Sequence, residues 1–230
     1  MKTSKREFGI DNCYLSKNCL PEWLPAINVN KKIYEVKKGE VIFNEGDEVI
    51  GVYFVYEGNI KIHKKWGSEK ELILRIANKG SIFGHRGLSS KSTIYPMSAT
   101  ALENASVCFI DLAFFYTTLK VNLDFTLKLM IFFADELQES ERKMRNLAHM
   151  SVKGRVAQAL LQFEEKFGKK DGAIDITLSR QDLASYVGAT YETVFRTINE
   201  LVSEGCIAIE SKSILITDNK KLENFTLQTA

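Results

Sequence analysis

Long apolar runs are missing from this chain. The longest strongly apolar stretch, 129–134, is far short of the ~20 residues that a membrane-spanning helix needs. The N-terminal stretch MKTSKREFGIDN holds no apolar run of signal-peptide type, so a soluble, cytoplasmic protein without a membrane partner is expected. Cysteine is sparse: Cys13, Cys19, Cys108 and Cys206 are scattered along the chain. That excludes a disulfide framework and leaves core thiols, reactive thiols or metal ligands. Neither sign of charge dominates, with 31 basic and 29 acidic residues and a net charge of +2. Bulk charge therefore neither demands nor excludes nucleic acid. Gly-x-Ser-x-Gly, a phosphate-binding loop and a zinc-spaced His/Glu set are also absent, so an enzyme is not expected.

What is present suits two domains of ordinary size: 230 residues, 45% of them apolar and 26% charged. Residues 1–30 read as irregular, with Pro21 and Pro25 breaking any long helix. Between 31 and 112, short apolar and aromatic runs recur at 33–36, 41–43, 51–56, 60–63, 72–76, 82–83 and 105–110. Gly39, Gly46, Gly58, Gly67 and Gly80 fall at the breaks. Strands at this spacing predict a sandwich, roll or barrel. In 52–56 both alternating sets are apolar, which predicts a strand buried on both faces.

From about 122 the period changes. Leu123, Leu127, Met130, Ala134, Leu137, Met144 and Ala148 follow a 4-3 spacing with Glu141 as the one polar intrusion, and Ile131, Phe133 and Leu147 widen the stripe. This is the seam of a coiled coil, predicted as a helix over 125–148. A second copy of the same helix is its economical partner, so a homodimer is expected.

The remainder reads as a compact α+β unit. Val152, Val156, Ala159, Leu160 and Phe163 mark one helix, followed by a predicted strand over 174–178. Ser179 caps a helix over 180–187, Gly188 turns, and Thr190 caps a second helix over 191–204. A hairpin around 210–213 follows. Two short capped helices with a glycine turn form a helix-turn-helix, and the hairpin is its wing. In such a unit the second helix enters the major groove. Arg196 can donate to guanine and Glu192 can accept from cytosine; an ordinary i, i+4 surface ion pair between them is the alternative. Ser179, Arg180, Gln181 and Thr190 sit at helix starts, where phosphates bind. Tyr191, Thr193 and Phe195 complete the exposed start of the reading helix, and Lys212 lies in the wing. Residues 149–230 hold ten Lys/Arg against eleven Asp/Glu, so attraction to DNA must come from a local patch of Lys153, Arg155, Arg180, Arg196 and Lys212.

Taken together, KKGEVIFNEGD (37–47), VYFVYEGNIKI (52–62), GSIFGHRGL (80–88) and SRQDLASYVGATYETVFR (179–196) resemble the Crp/Fnr family of bacterial regulators. The motifs are modest singly and strong in their order and spacing. The resemblance implies an α+β architecture of three parts. A β-roll sensor of the cyclic-nucleotide-binding jelly-roll type spans 1–121, a dimerisation helix 122–148 and a winged helix-turn-helix 149–230. It implies a homodimer on a two-fold DNA site, an effector in the roll, and RNA polymerase as a further partner. Phe83, Gly84, His85, Arg86 and Tyr95 are the effector-pocket candidates.

The cyclic-AMP-binding members carry a glutamate after Phe-Gly and then an Arg-Ser-Ala run. Here His85 follows Gly84, and Tyr95 and Pro96 stand where the arginine and serine would fall. That phosphate clamp is lacking, so cyclic AMP is not the expected ligand. Cys13 and Cys19 in C-x5-C-L-P, with Cys108 in SVCFI, match three of the four cysteines of the oxygen-sensing members, and Ile10 stands near the fourth position. A redox- or gas-responsive regulator, using that incomplete cysteine set or haem at His85 or His63, is the alternative to an organic effector. The cofactor is left open.

Overall fold

Gly58 has φ +81°, and a Cβ on it would lie 2.7 Å from the Ala105 Cβ and 2.9 Å from the Asn104 carbonyl oxygen. Only glycine fits that turn. It carries the chain from β4 (Gly51–Glu57) in one sheet to β5 (Ile60–Trp66) in the other. The computed structural model describes residues 1–3, 14–67, 70–211 and 213–227. They divide into two compact units, 1–65 with 74–137 and 66–73 with 138–230.

The first sheet takes β1 (Lys2–Thr3), β2 (Lys31–Val36), β9 (Ala105–Asp111), β4 and β7 (Ile82–Phe83) in that order. The second takes β3 (Val41–Phe43), β8 (Ser98–Ala101), β5 and β6 (Lys70–Ala77). In β4, Tyr53 and Val55 enter one core cluster with Phe43, Ile60, Ile62 and Phe83. Val52, Phe54 and Tyr56 enter another with Leu15, Ile27, Phe115 and Phe125 from helices. A strand with a sheet on one side and helices on the other has no polar face to spare, hence its unbroken apolar run.

Residues 14–30 are not irregular. They form α1 (Tyr14–Asn18) and α2 (Leu24–Asn30), joined by a 3-10 turn at Pro21–Trp23. Pro21 and Pro25 occupy helix starts, where proline costs nothing. Such short helices bury only Leu15 and Ile27, too few positions for a period to show. The helix α3 (Leu112–Val121) is also new. Asp111 caps it by accepting from the amides of Ala113 and Phe114. Buried Asn122 ends it, donating to the Thr118 carbonyl at 3.0 Å and accepting from the Leu20 amide at 2.8 Å.

The predicted long helix is α4 (Leu123–His149), 27 residues and about 40 Å long. Its inward side chains, Phe125 and Leu129, are buried against the roll. Phe133, read as part of the outer stripe, is instead half-buried and turned toward the roll. The stripe itself faces outward: Leu123, Leu127, Met130, Leu137 and Met144 are each more than half exposed, and Ala134 is exposed with them.

The second unit packs α5 (Val152–Phe167) against α6 (Arg180–Val187) and α7 (Tyr191–Ser203). Gly154 lets the C-terminal helix (Asn219–Thr226) come close to α5, since a Cβ there would meet the Phe225 carbonyl oxygen at 2.8 Å. The predicted strand at 174–178 shrinks to β11 (Ala173–Ile174), paired with β10 (Lys169–Lys170). The Ile176 amide donates back to the Ile174 carbonyl at 2.8 Å, which curls the chain. Ile176 and Leu178 then line an apolar cleft with Leu160, Phe163 and Leu183. The wing is β12 (Ile207–Glu210) with β13 (Ser213–Ile216). After it comes α8 (Asn219–Thr226), capped by Asp218 and burying Leu222 alone. A stretch as polar as NKKLENFT carries no periodic signal for it.

Candidate DNA-reading helix and sensor pocket

The candidate reading head is set by two caps and one turn. The Ser179 hydroxyl accepts from the Asp182 amide at 2.9 Å, and the Thr190 hydroxyl accepts from the Thr193 amide at 3.3 Å. Gly188, at φ +65°, ends α6. Its left-handed backbone favours glycine, and a Cβ there would displace the end of the Leu147 side chain, 2.5 Å away. Leu183, Ala184 and Val187 on α6 and Val194, Ile198 and Leu201 on α7 are all buried, so the inner faces of the two helices are consumed by the core.

What remains outward on the first two turns of α7 is Tyr191, Glu192, Phe195 and Arg196, all exposed. Glu192 and Arg196 lie four apart, yet among the described residues neither makes an ion pair. Both side chains are left available to a ligand. Arg180 and Gln181 stand at the start of α6, with Arg180 half-buried at the edge of the apolar cleft. The hydroxyls of Ser179 and Thr190 are occupied as caps, so a phosphate at these helix starts meets free backbone amides. Thr193 is half-buried and shares its hydroxyl with Thr190 at 2.9 Å. Lys212 lies outside the described residues. Two members of the expected basic patch turn elsewhere: the Lys153 ammonium sits 2.6 Å from Glu204 and 4.3 Å from the Phe225 ring centre, and Arg155 is partly buried.

In the roll, the five pocket candidates separate into two groups. Phe83 and Tyr95 belong to an aromatic stack, and Gly84 lies against it, since a Cβ there would be 3.3 Å from the Tyr53 ring. Phe43 lies 3.9 Å from Tyr95 and 6.1 Å from Phe83, centroid to centroid, and Tyr53 lies 5.2 Å from Phe83. The Tyr95 hydroxyl donates to the Gly51 carbonyl at 2.7 Å. Burial pushes its pKa up. His85 and Arg86 turn toward α4 instead. The His85 ring meets Phe132 and Phe133 edge-on, each at 5.2 Å, and Arg86 pairs with Glu136 at 2.9 Å. Sequence reasoning missed the third member, Arg75, which pairs with the other Glu136 oxygen at 3.1 Å and donates to the Ile82 carbonyl. No local pattern marks Arg75, which is 61 residues from Glu136.

His85 is 2% exposed, and among the described residues neither ring nitrogen has a hydrogen-bond partner. Burial first, then the positive charges of Arg75 and Arg86, hold its pKa well below 6.5. The folded state thus takes up its proton later than the unfolded chain does. This group's contribution is complete above about pH 6.5 and is lost as pH falls below it, by up to about 1.4 kcal/mol per pH unit. Denaturant titrations of wild type and His85→Phe at pH 7.5, 6.5 and 5.5 are expected to show the wild type losing about 1 kcal/mol more than the variant over the last step. A constant difference would mean that the imidazole titrates normally.

His63, the other haem candidate, is 2.9 Å from the Thr100 hydroxyl through Nε2, the bond of an ordinary structural histidine. Cys19 and Cys108 are buried in the same core cluster, and Cys13 lies outside the described residues. Among the described residues no three His, Cys, Asp or Glu side chains are grouped to hold a metal ion. That core cluster offers two thiols where an iron–sulfur group commonly takes four, so they do not by themselves fit one.

Residues 34–122 match the cyclic nucleotide-binding domain and residues 154–225 the Crp-like helix-turn-helix domain. The anaerobic regulatory protein of Bacillus subtilis is 30% identical over 200 residues, 86% of this chain and 83% of its own. This chain belongs to the Crp/Fnr family. It is a DNA-binding transcription regulator. The regulator is also 27% identical over 190 residues to the cAMP-activated global transcriptional regulator of Escherichia coli, covering 80% of this chain and 89% of that one. In fold it is similar to FixK2 from Bradyrhizobium japonicum, with a TM-score of 0.78 at 24% identity over 87% of this chain and 99% of the other. No helix among the described residues is long and apolar enough to cross a membrane.

Proposed function

We propose that this regulator works in the cytoplasm as a homodimer, joined along the outward stripe of α4, that reads a two-fold DNA site with Glu192 and Arg196. The observation that carries the reading is the unpaired state of those two side chains on the open face of α7. Two copies of α7 would have to stand about one turn of DNA apart, roughly 34 Å. The signal enters at the β-roll, and the output passes to RNA polymerase. Cyclic AMP is a poor fit for that signal: where the resemblance would put the phosphate-binding arginine stands Tyr95, a stacked ring whose hydroxyl is bonded to Gly51. The cations beside His85, Arg75 and Arg86, are already held by Glu136.

The test is selection of bound sites from random duplex DNA. Wild type is expected to yield a palindromic motif. Arg196→Ala should lose about 1–3 kcal/mol per half-site and relax one base pair in each. Arg180→Ala should weaken all sequences alike and flatten the salt dependence. A full wild-type motif from Arg196→Ala would overturn the assignment.

A further inference from the structure

The outward face of α7 carries two aromatic rings that its core does not use. Tyr191 and Phe195 are 42% and 48% exposed. They stack on each other with centroids 6.2 Å apart and planes 15° from parallel. Among the described residues each is the other's only ring partner. Val194, Ile198 and Leu201 already complete the buried face, so the open part of each ring is surplus to packing. Each ring directly precedes a polar reader, Tyr191 before Glu192 and Phe195 before Arg196. The two therefore form a flat apolar strip, one helical turn long, alongside the polar pair.

Phe195 has no hydrogen-bonding group, so it can neither hold a phosphate nor pair with a polar base edge. In the major groove the apolar feature that distinguishes one base pair from another is the C5-methyl of thymine. We infer that Tyr191 and Phe195 form a methyl-reading plate, which makes the regulator select thymine next to the base pair taken by Arg196. The inference rests on the proposed reading that α7 lies in the groove. It adds the chemical identity of what the aromatic strip contacts. Burying one methyl contributes about fourfold in affinity, and a two-fold site doubles the number of contacts, for roughly fifteenfold in all.

The experiment uses the selected palindrome with dT replaced by dU, one symmetric pair of positions at a time. This deletes only the methyl and leaves every hydrogen-bonding group in place. Wild type is expected to bind roughly fifteenfold more weakly at one such pair of positions and unchanged at the rest. Phe195→Ser should bind the dT and dU sites equally, at the level of wild type on dU, which also shows that the variant is folded. Phe195→Leu, still apolar, should keep most of the dT preference. If wild type tolerates dU at every position, the plate reads no methyl and the inference fails. The Arg196 reading is judged separately, because Arg196→Ala relaxes its own base pair whatever the outcome with dU. A dU effect that persists undiminished in both Phe195→Ser and Tyr191→Ala would place the methyl contact elsewhere and overturn the inference as well.

Discussion

Met130→Glu combined with Leu137→Glu is expected to leave the regulator monomeric at concentrations where wild type is a dimer. In the single chain these side chains are each 60% exposed, so a carboxylate at either position costs the fold of one subunit little. Against a second copy of α4 the same positions would lose their water. A buried, unpaired carboxylate costs several kcal/mol, and the two-fold relation places like charges across the seam. The stripe from Leu123 to Met144 supplies the apolar area, and the inward residues Phe125 and Leu129 are untouched by either change. Light scattering reads the mass directly. Lys128→Glu, exposed but off the stripe, is the control that should remain dimeric. DNA affinity of the double variant should fall steeply, because each half-site would be bound independently. A full dimer from the double variant would exclude this seam.

Glu136→Ala is expected to destabilise the first unit by about 3 kcal/mol. One carboxylate holds two guanidiniums, those of Arg75 and Arg86, and the Arg75 and Glu136 side chains are only 15% and 14% exposed. Burial already pushes the Arg75 pKa down, and Glu136 offsets that. Removing the acid leaves a buried cation with a like charge for a neighbour, a change that typically costs about 3–5 kcal/mol. The lower end applies because Arg86 keeps some contact with water. Removing the most buried pair is different: Arg75→Met with Glu136→Leu leaves only Arg86, which is 29% exposed and keeps its hydration, and should recover most of the loss, less what the Ile82 carbonyl forfeits. Denaturant unfolding of wild type, single and double variants distinguishes the cases. An unchanged single variant would show that solvent screens this cluster as it does an exposed ion pair.

Much of this regulator was readable along the chain because its signals are local. Glycine between short apolar runs marks the roll, and a 4-3 apolar spacing marks α4. Hydroxyls before helices and glycine after them mark the reading head. Each depends on residues within a few positions of one another, where backbone sterics and helical or pleated periodicity act directly. The helices α1, α2, α3 and α8 escaped because each buries few side chains, and the strand expected at 174–178 failed because apolar residues can line a cleft without joining a ladder.

The candidate sensor residues depended on long-range contacts. His85 and Arg86 were legible as candidates, but which acid holds Arg86 and what surrounds His85 were not. Glu136 lies 50 residues from Arg86 and 61 from Arg75, and only the packing of α4 on the roll makes the three a single cluster. The same packing closes Phe132 and Phe133 around an imidazole with no hydrogen-bond partner. On α7, sequence alone named Glu192 and Arg196 as readers and placed the aromatic rings beside them. Only the folded helix showed the charged pair unbonded and the rings stacked in the open. Covalent neighbours determine local conformation; which side chains lose their water, and against what, is decided by segments that meet only in three dimensions.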